Sequence, residues 1–126
     1  MLAKGSSERG SVTVEAALAL ASLVAVLVAT IAGVAAVTDQ LRCTDAAREA
    51  ARLIARGQAE RADEAVSRIA PADARWEVDE STNGIAVTVT VVPAGGLLPG
   101  VIVRGDAFAV PEPVAAQPGE LQGGVP

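Results

Sequence analysis

Apolar and polar positions divide the chain into three stretches with different periods. Between Glu15 and Asp39 no residue is charged, and the run from Ala16 to Thr38 is apolar up to that last residue apart from Ser22 and Thr30. As a helix these 23 residues extend roughly 34 Å at about 1.5 Å per residue. That slightly exceeds the ~30 Å hydrocarbon core of a bilayer. Both hydroxyls can bond back to a carbonyl one turn earlier, so the run can satisfy its own polar groups. It predicts a transmembrane helix. A cleaved secretory signal has an apolar region of only ~7–15 residues, and the other residues are too few to wrap such a helix as a soluble core.

Helical spacing continues past the span, from Asp39 to Arg56. Asp39/Arg42, Asp45/Arg48 and Glu49/Arg52 stand three apart, as stabilising pairs on a helix surface do, and Leu41, Leu53 and Ile54 give a thin apolar edge. A helix from Val12 to Arg56 would run some 68 Å by rise per residue. Gly57 reads as a C-cap, and a shorter helix, Glu60 to Ile69, carries Val66 and Ile69 before Pro71 ends it. The period then changes to two. Arg75 to Val78 alternates, Ser81-Thr82-Asn83-Gly84 reads as a hairpin turn, and Ile85, Val87, Val89 and Val91 share one face of a second strand. Pro93 to Gly100 is a loop that includes the turn Leu98-Pro99-Gly100. Val101 to Val110 is a third strand, with Phe108 and Val110 expected to face inward. The predicted fold class is α+β. A long N-terminal helix and a short one pack Leu53, Ile54, Val66 and Ile69 against Trp76, the valine face and Phe108 of a small three-stranded antiparallel sheet. From Pro111 onward the Pro/Gly-rich composition predicts a disordered tail.

Composition sharpens this picture. The apolar half of the 126 residues consists mainly of small side chains, 27 Ala and 18 Val against 10 Leu and 5 Ile. Length allows one domain, or a membrane anchor with a small domain. With no His and one Cys, the chain cannot build a His/Cys metal cage or an imidazole-based catalytic triad. A net charge of −5 and 2% aromatic residues argue against nucleic-acid binding, which uses basic patches and stacking rings. The acid pairs Asp63/Glu64 and Asp79/Glu80 have no pocket-forming sequence around them and read as surface charge. No enzyme activity, cofactor, metal or small-molecule substrate is expected. Cys43, about one turn past the span, reads as a small semi-buried residue or as a thiol for an intermolecular disulfide.

Within the span, side chains are unevenly distributed. At roughly 100° per residue, Leu20, Leu23, Leu27, Ile31 and Val34 share one side. Ala17, Ala21, Ala25, Ala29 and Gly33 form an i, i+4 ridge on the other, and small ridges allow close approach of membrane helices. At the head of the span stands Glu15, whose carboxylate is costly to bury unless paired or protonated. Nothing in Ser11 to Val14 neutralises it except a free α-amine at Ser11, which would require the chain to be cut after Gly10.

The leader Met1 to Gly10, with Lys4 and Arg9, followed by Ser11-Val12-Thr13-Val14-Glu15 and the apolar run, resembles the class III signal of type IV pilins and pseudopilins. The stretch Arg9 to Ala17, together with Leu41-Arg42-Cys43-Thr44-Asp45-Ala46-Ala47-Arg48-Glu49-Ala50-Ala51-Arg52, is similar to the TadE-like minor pilins of the tight-adherence system, especially actinobacterial ones. Pilins usually begin with Phe or Met after the cut; Ser11 departs from this, and TadE-like proteins tolerate other residues there. The resemblance implies that prepilin peptidase cuts between Gly10 and Ser11 and that Glu15 meets a neighbouring subunit's terminal amine during assembly. The expected partners are therefore prepilin peptidase, other pilin or pseudopilin subunits and the membrane.

The implied organisation is a leader over 1–10, a transmembrane and extended helix over 11–56, an exterior α+β domain over 57–110 and a tail over 111–126. Two basic residues precede the span and four follow within the helix (Arg42, Arg48, Arg52 and Arg56), which by charge alone favours an exterior N-terminus. The resemblance implies the opposite, a single-pass protein with its N-terminus in the cytoplasm and its C-terminal domain outside. Two other readings use the same residues: an uncleaved single-pass membrane adaptor, and a secreted protein released by ordinary signal peptidase near Ala36.

Overall fold

The computed structural model describes residues 5–111, and within them the side chains of 9–93 and 95–111. The first four leader residues and 112–126 of the predicted tail lie outside the described residues. The element order is helix, helix, then three strands, the α+β class expected. The first helix, α1, runs unbroken over Gly5–Ala55, roughly 76 Å at 1.5 Å per residue. Its hydroxyls bond back as the sequence predicts: Ser22 donates to the Leu18 carbonyl at 2.9 Å and Thr30 to Val26 at 2.8 Å. Thr13 and Thr38 do the same, to Arg9 and Val34.

At its end, the Gln58 N–H reaches the Leu53 carbonyl and the Gly57 N–H the Ile54 carbonyl, both at 2.9 Å. This paired closure needs a left-handed residue at Gly57, where φ is +73°. The chain reverses and α2, Glu60–Ile69, packs back along α1 through Ala62, Ala65 and Val66.

The sheet has β1 (Arg75–Ser81), β2 (Gly84–Val91) and β3 (Val103–Ala109), antiparallel in the order β1-β2-β3. The hairpin falls where predicted, but β1 is longer than Arg75 to Val78. Ser81 pairs with Gly84, so Thr82 and Asn83 form the two-residue loop. Gly84 follows at φ +148°. A short 3-10 turn, Pro93–Gly96, opens the β2–β3 connection, and β3 begins two residues later than predicted.

Register decides what faces α1. Val91, Val89, Val87 and Ile85 stand opposite Val103, Gly105, Ala107 and Ala109 of β3. On the other side Val89, Val87 and Ile85 stand opposite Trp76, Val78 and Glu80 of β1. Directly opposed residues share a face, so the valine face is the inner one, as expected. The expectation for Phe108 and Val110 was wrong. Phe108 pairs with Ala86 on the outer face and is 63% exposed, and Val110 is 65% exposed.

The reason lies in the distance between α1 and β3. A methyl group at Gly105 would collide with the backbone of Cys43 and Thr44, so helix and strand meet almost backbone to backbone. Only Gly and Ala fit the centre of β3's inner face, and the aromatic ring must point outward.

The core differs correspondingly from the predicted apolar edge. Leu41 points outward, 62% exposed, while Cys43, Ala46, Ala47, Ala50, Ala51 and Leu53 are the buried face of α1. They pack against Ala62, Ala65 and Val66 of α2 and against Ile85, Val87, Val89, Val91 and Val103. Trp76, Ile54 and Ile69 lie half-buried at the margin. Gly105→Ala is therefore expected to destabilise the α+β module by about 1–3 kcal/mol, the cost of overpacking a tight core. Gly33→Ala, whose added methyl meets nothing within 4 Å, should leave it unchanged. Denaturant unfolding of the detergent-solubilised chain, followed by the single tryptophan Trp76, measures both.

Candidate functional site

One helix carries all the candidate residues, and its two halves have different surroundings. Gly10, Ser11 and Glu15 lie on exposed turns near its start. Among the described residues Glu15 has no ion-pair partner within the chain. The ridge residues Ala17, Ala21, Ala25, Ala29 and Gly33 are all exposed, as are Leu20, Leu23, Leu27, Ile31 and Val34 on the opposite side. This half of α1 is long and apolar enough to cross a membrane, and the rest of the chain leaves it almost bare. Ala32, 7% exposed, is the buried exception.

Beyond Asp39 the same helix becomes the spine of the C-terminal α+β module; two of its side chains fasten the module to it, and a third long-range bond ties the module together. Gln40 donates its amide N–H to the Arg104 carbonyl of β3 at 2.7 Å. Arg42 donates to the Ile69 carbonyl at 3.1 Å, placing a cation at the C-terminal end of α2, where carbonyls lack helical partners. The expected Asp39/Arg42 pair gives way to this longer-range contact. The Trp76 indole N–H donates to Asp63 Oδ1 at 3.2 Å, which ties β1 to α2 and gives Asp63 a structural use. Periodicity indicated none of these three contacts, because each joins residues far apart in sequence.

The remaining charges behave as a solvated face. Arg52 holds Glu49 at 2.7 Å and Arg48 approaches Asp45 at 3.8 Å; the hydrogen bond from Arg52 keeps the Glu49 carboxyl below its ordinary range. On the outer sheet face Thr88 donates to Asp106 at 2.8 Å and Arg104 at 2.9 Å. Those two bonds, Thr88 first, hold the Asp106 carboxyl below its ordinary range. Among the described residues no group of three or more His, Cys, Asp or Glu is placed to hold a metal ion.

Cys43 is fully buried, with 0% exposure, against β3 at the Gly105 contact. Burial, then the nearby Asp39 carboxylate, pushes its thiol above the ordinary value of 9.0, and Arg42 partly opposes the shift. A bond to a second chain would require β3 to lift from the helix.

Comparison with known proteins bears on the bare half of α1 and on the docked half alike. The family of TadE-like proteins matches residues 10–52, from Gly10 through the span to the last buried turns. The apoptosis inhibitor Rv3655c of Mycobacterium tuberculosis is 48% identical over 106 residues, covering 82% of this chain and 83% of that protein. The chain belongs to the TadE-like family. No solved structure matches it.

Within this TadE-like chain the buried Cys43 gives a measurable pH dependence. A thiol whose folded pKa is raised binds its proton more tightly in the folded state, so its contribution is complete below the unfolded value and lost as pH rises through and above it. Stability should fall as pH climbs above the ordinary 9.0, and Cys43→Ala should remove that part of the slope. Iodoacetamide at pH 8 should label Cys43 slowly in the folded chain and readily in denaturant, read by intact mass.

Proposed function

We propose that this chain is a minor pilin precursor of the tight-adherence system, cut by prepilin peptidase between Gly10 and Ser11. The observation that carries the reading is the placement of Glu15. It stands at the fifth position after that bond, exposed at the head of a bare apolar helix, with no ion-pair partner among the described residues. A carboxylate there is costly at membrane depth. A terminal amine on Ser11 of a neighbouring subunit would neutralise it, and the ion pair would favour the assembled state over the isolated one. The ridge from Ala17 to Gly33 offers the close helix–helix contact that brings the two charges together. The N-terminus is cytoplasmic and the sheet exterior in this reading. The partners are the peptidase, the membrane and other pilin or pseudopilin subunits.

A second reading comes from the activity after which the mycobacterial relative is named. Its 48% identity extends over 106 residues, more than twice the stretch that the family pattern matches, so the exterior module is part of the likeness. Inhibition of apoptosis by this chain would place the exterior module in contact with a host cell. Purified full-length chain added to cells undergoing induced apoptosis tests it: unchanged caspase activation removes the reading.

The precursor reading is tested by intact mass of the membrane-extracted protein from cells with active prepilin peptidase. The expected mass begins at Ser11; a mass beginning at Met1 would overturn cleavage. Glu15→Val should still be inserted in the membrane fraction but be lost from sheared surface assemblies. Normal incorporation of that variant would remove the role given to Glu15.

A further inference from the structure

The connection between β2 and β3 breaks the usual rule for loops. Surface loops are polar because they face water, yet residues 92–102, Val-Pro-Ala-Gly-Gly-Leu-Leu-Pro-Gly-Val-Ile, contain no charged, hydroxyl or amide side chain. Pro93 is buried and Leu98 half-buried, but the larger side chains on either side of them are not folded inward. Val92 is 53% exposed, Leu97 72% and Ile102 69%. Scattered exposed apolar residues need no explanation, but an uninterrupted apolar loop does.

Its position supplies one. Leu97 lies beside α1 in an apolar groove shared with Val28, Ile31, Ala32 and Ala35, and Ala32 is the one span residue that becomes buried. Asp39 is the first charge after the span and marks its exterior end. Ala32 is seven residues before it, about 10 Å along the helix axis. The loop therefore descends alongside the span, below the level at which the helix meets water.

Its backbone is suited to that depth. Pro93 and Pro99 have no N–H to leave unsatisfied, Pro93–Gly96 forms a 3-10 turn, and the Val101 N–H reaches the Leu98 carbonyl at 3.2 Å.

We propose that the 92–102 loop is a second membrane contact, inserting Leu97 and Ile102 into the exterior leaflet at the boundary between headgroups and acyl chains. The occupant of its exposed side is lipid, because the loop's apolar surface is continuous with that of the span. Amphipathic segments at bilayer surfaces bury their apolar side to ~5–10 Å in this region, which matches the depth set by Ala32. The contact rests on α1 spanning the bilayer and is independent of leader cleavage. Its consequence is orientational: a helix alone can rotate about its axis and tilt, whereas a helix with a lateral apolar wedge is held in one azimuth, sheet upright over the membrane.

The test is depth-dependent fluorescence quenching of the full chain in phosphatidylcholine vesicles. Single probes are attached to Leu97→Cys, Leu27→Cys and Gln58→Cys in a Cys43→Ala background that retains Trp76 emission. Leu27 is 12 residues from both Glu15 and Asp39, the middle of the span. Nitroxides are carried either high (5-doxyl) or deep (12-doxyl) on the acyl chain. The Leu97 probe should shift to the blue and be quenched more by the shallow nitroxide than by the deep one. The Leu27 probe should show the reverse order, and the Gln58 probe neither effect. A Leu97 probe with aqueous emission, unquenched by both, overturns the proposal. So does a blue shift that grows with protein density without quenching, which would assign the loop to a second copy of the chain. An unquenched Leu27 probe would overturn the spanning helix itself, and the loop contact with it, whatever the intact mass shows about cleavage.

Discussion

The fold of the C-terminal module depends on how closely α1 approaches β3. At Gly105 the strand backbone lies against the helix backbone at Cys43 and Thr44, with no room for a methyl group. That contact fixes the plane of the sheet, and the remaining choices follow from it. Helix positions facing the sheet must be small, which selects Cys43, Ala46, Ala47 and Ala50. The inner face of β3 must be small, which selects Gly105, Ala107 and Ala109, and the larger Phe108 is left outside. Volume is supplied instead by the β-branched residues of the central strand: Ile85, Val87, Val89 and Val91 fill the space on either side of the contact. A core of methyls and isopropyls buries little area per residue, so close packing has to replace large side chains as the source of cohesion.

Such a core gains from the helix being already formed. A 51-residue α1 whose first half is held in lipid does not bear its nucleation cost again when the sheet docks, and lipid enforces helicity because unpaired backbone groups are excluded there. The three fastening bonds from Gln40, Arg42 and Trp76 then add direction where apolar contact alone would permit sliding. Two of them end on backbone carbonyls at an element edge or end, Arg104 on the edge strand and Ile69 at the C-terminus of α2. These are places where secondary structure leaves acceptors to spare.

Much of this was legible from residue order. The span, the continuous helix, the Gly57 stop, the second helix and the alternating strand each follow from local period and capping, which depend on neighbours in sequence. What escaped depends on distant neighbours. The sidedness of β3 runs against side-chain size, because Phe108 is the largest apolar residue there and size normally indicates the core. The signal that outweighs it was present: a glycine in the middle of a strand marks close backbone approach, and Gly105 shares its face with Ala107 and Ala109. Likewise Cys43, Ala46, Ala47 and Ala50 recur at three- and four-residue spacing, a buried stripe that an emphasis on Leu41, Leu53 and Ile54 obscures. The leader bond, Glu15 and the ridge are visible as motifs, and the chemistry proposed for them lies between chains rather than within this one.

The two sets of small residues on α1 are aligned with each other. Ala25 and Cys43, Ala29 and Ala47, and Ala32 and Ala50 are each 18 residues apart, five full turns at 3.6 residues per turn. The sheet therefore stands above the small ridge of the span, while the leucine side below continues into the side that carries Leu41, Arg48 and Arg52 above. A neighbouring helix that packs on the ridge must arrive beneath the sheet, and its upper end meets the place where Leu97 covers Ala32. The ridge drifts by about 40° at each four-residue step, so a straight partner helix could follow only its middle, around Ala21 to Ala29. Because α1 is continuous, the azimuth of that contact and the azimuth of the α+β module are the same quantity. A subunit joined through its membrane helix would then present its sheet in a fixed direction relative to its neighbour, without a separate exterior interface to set it.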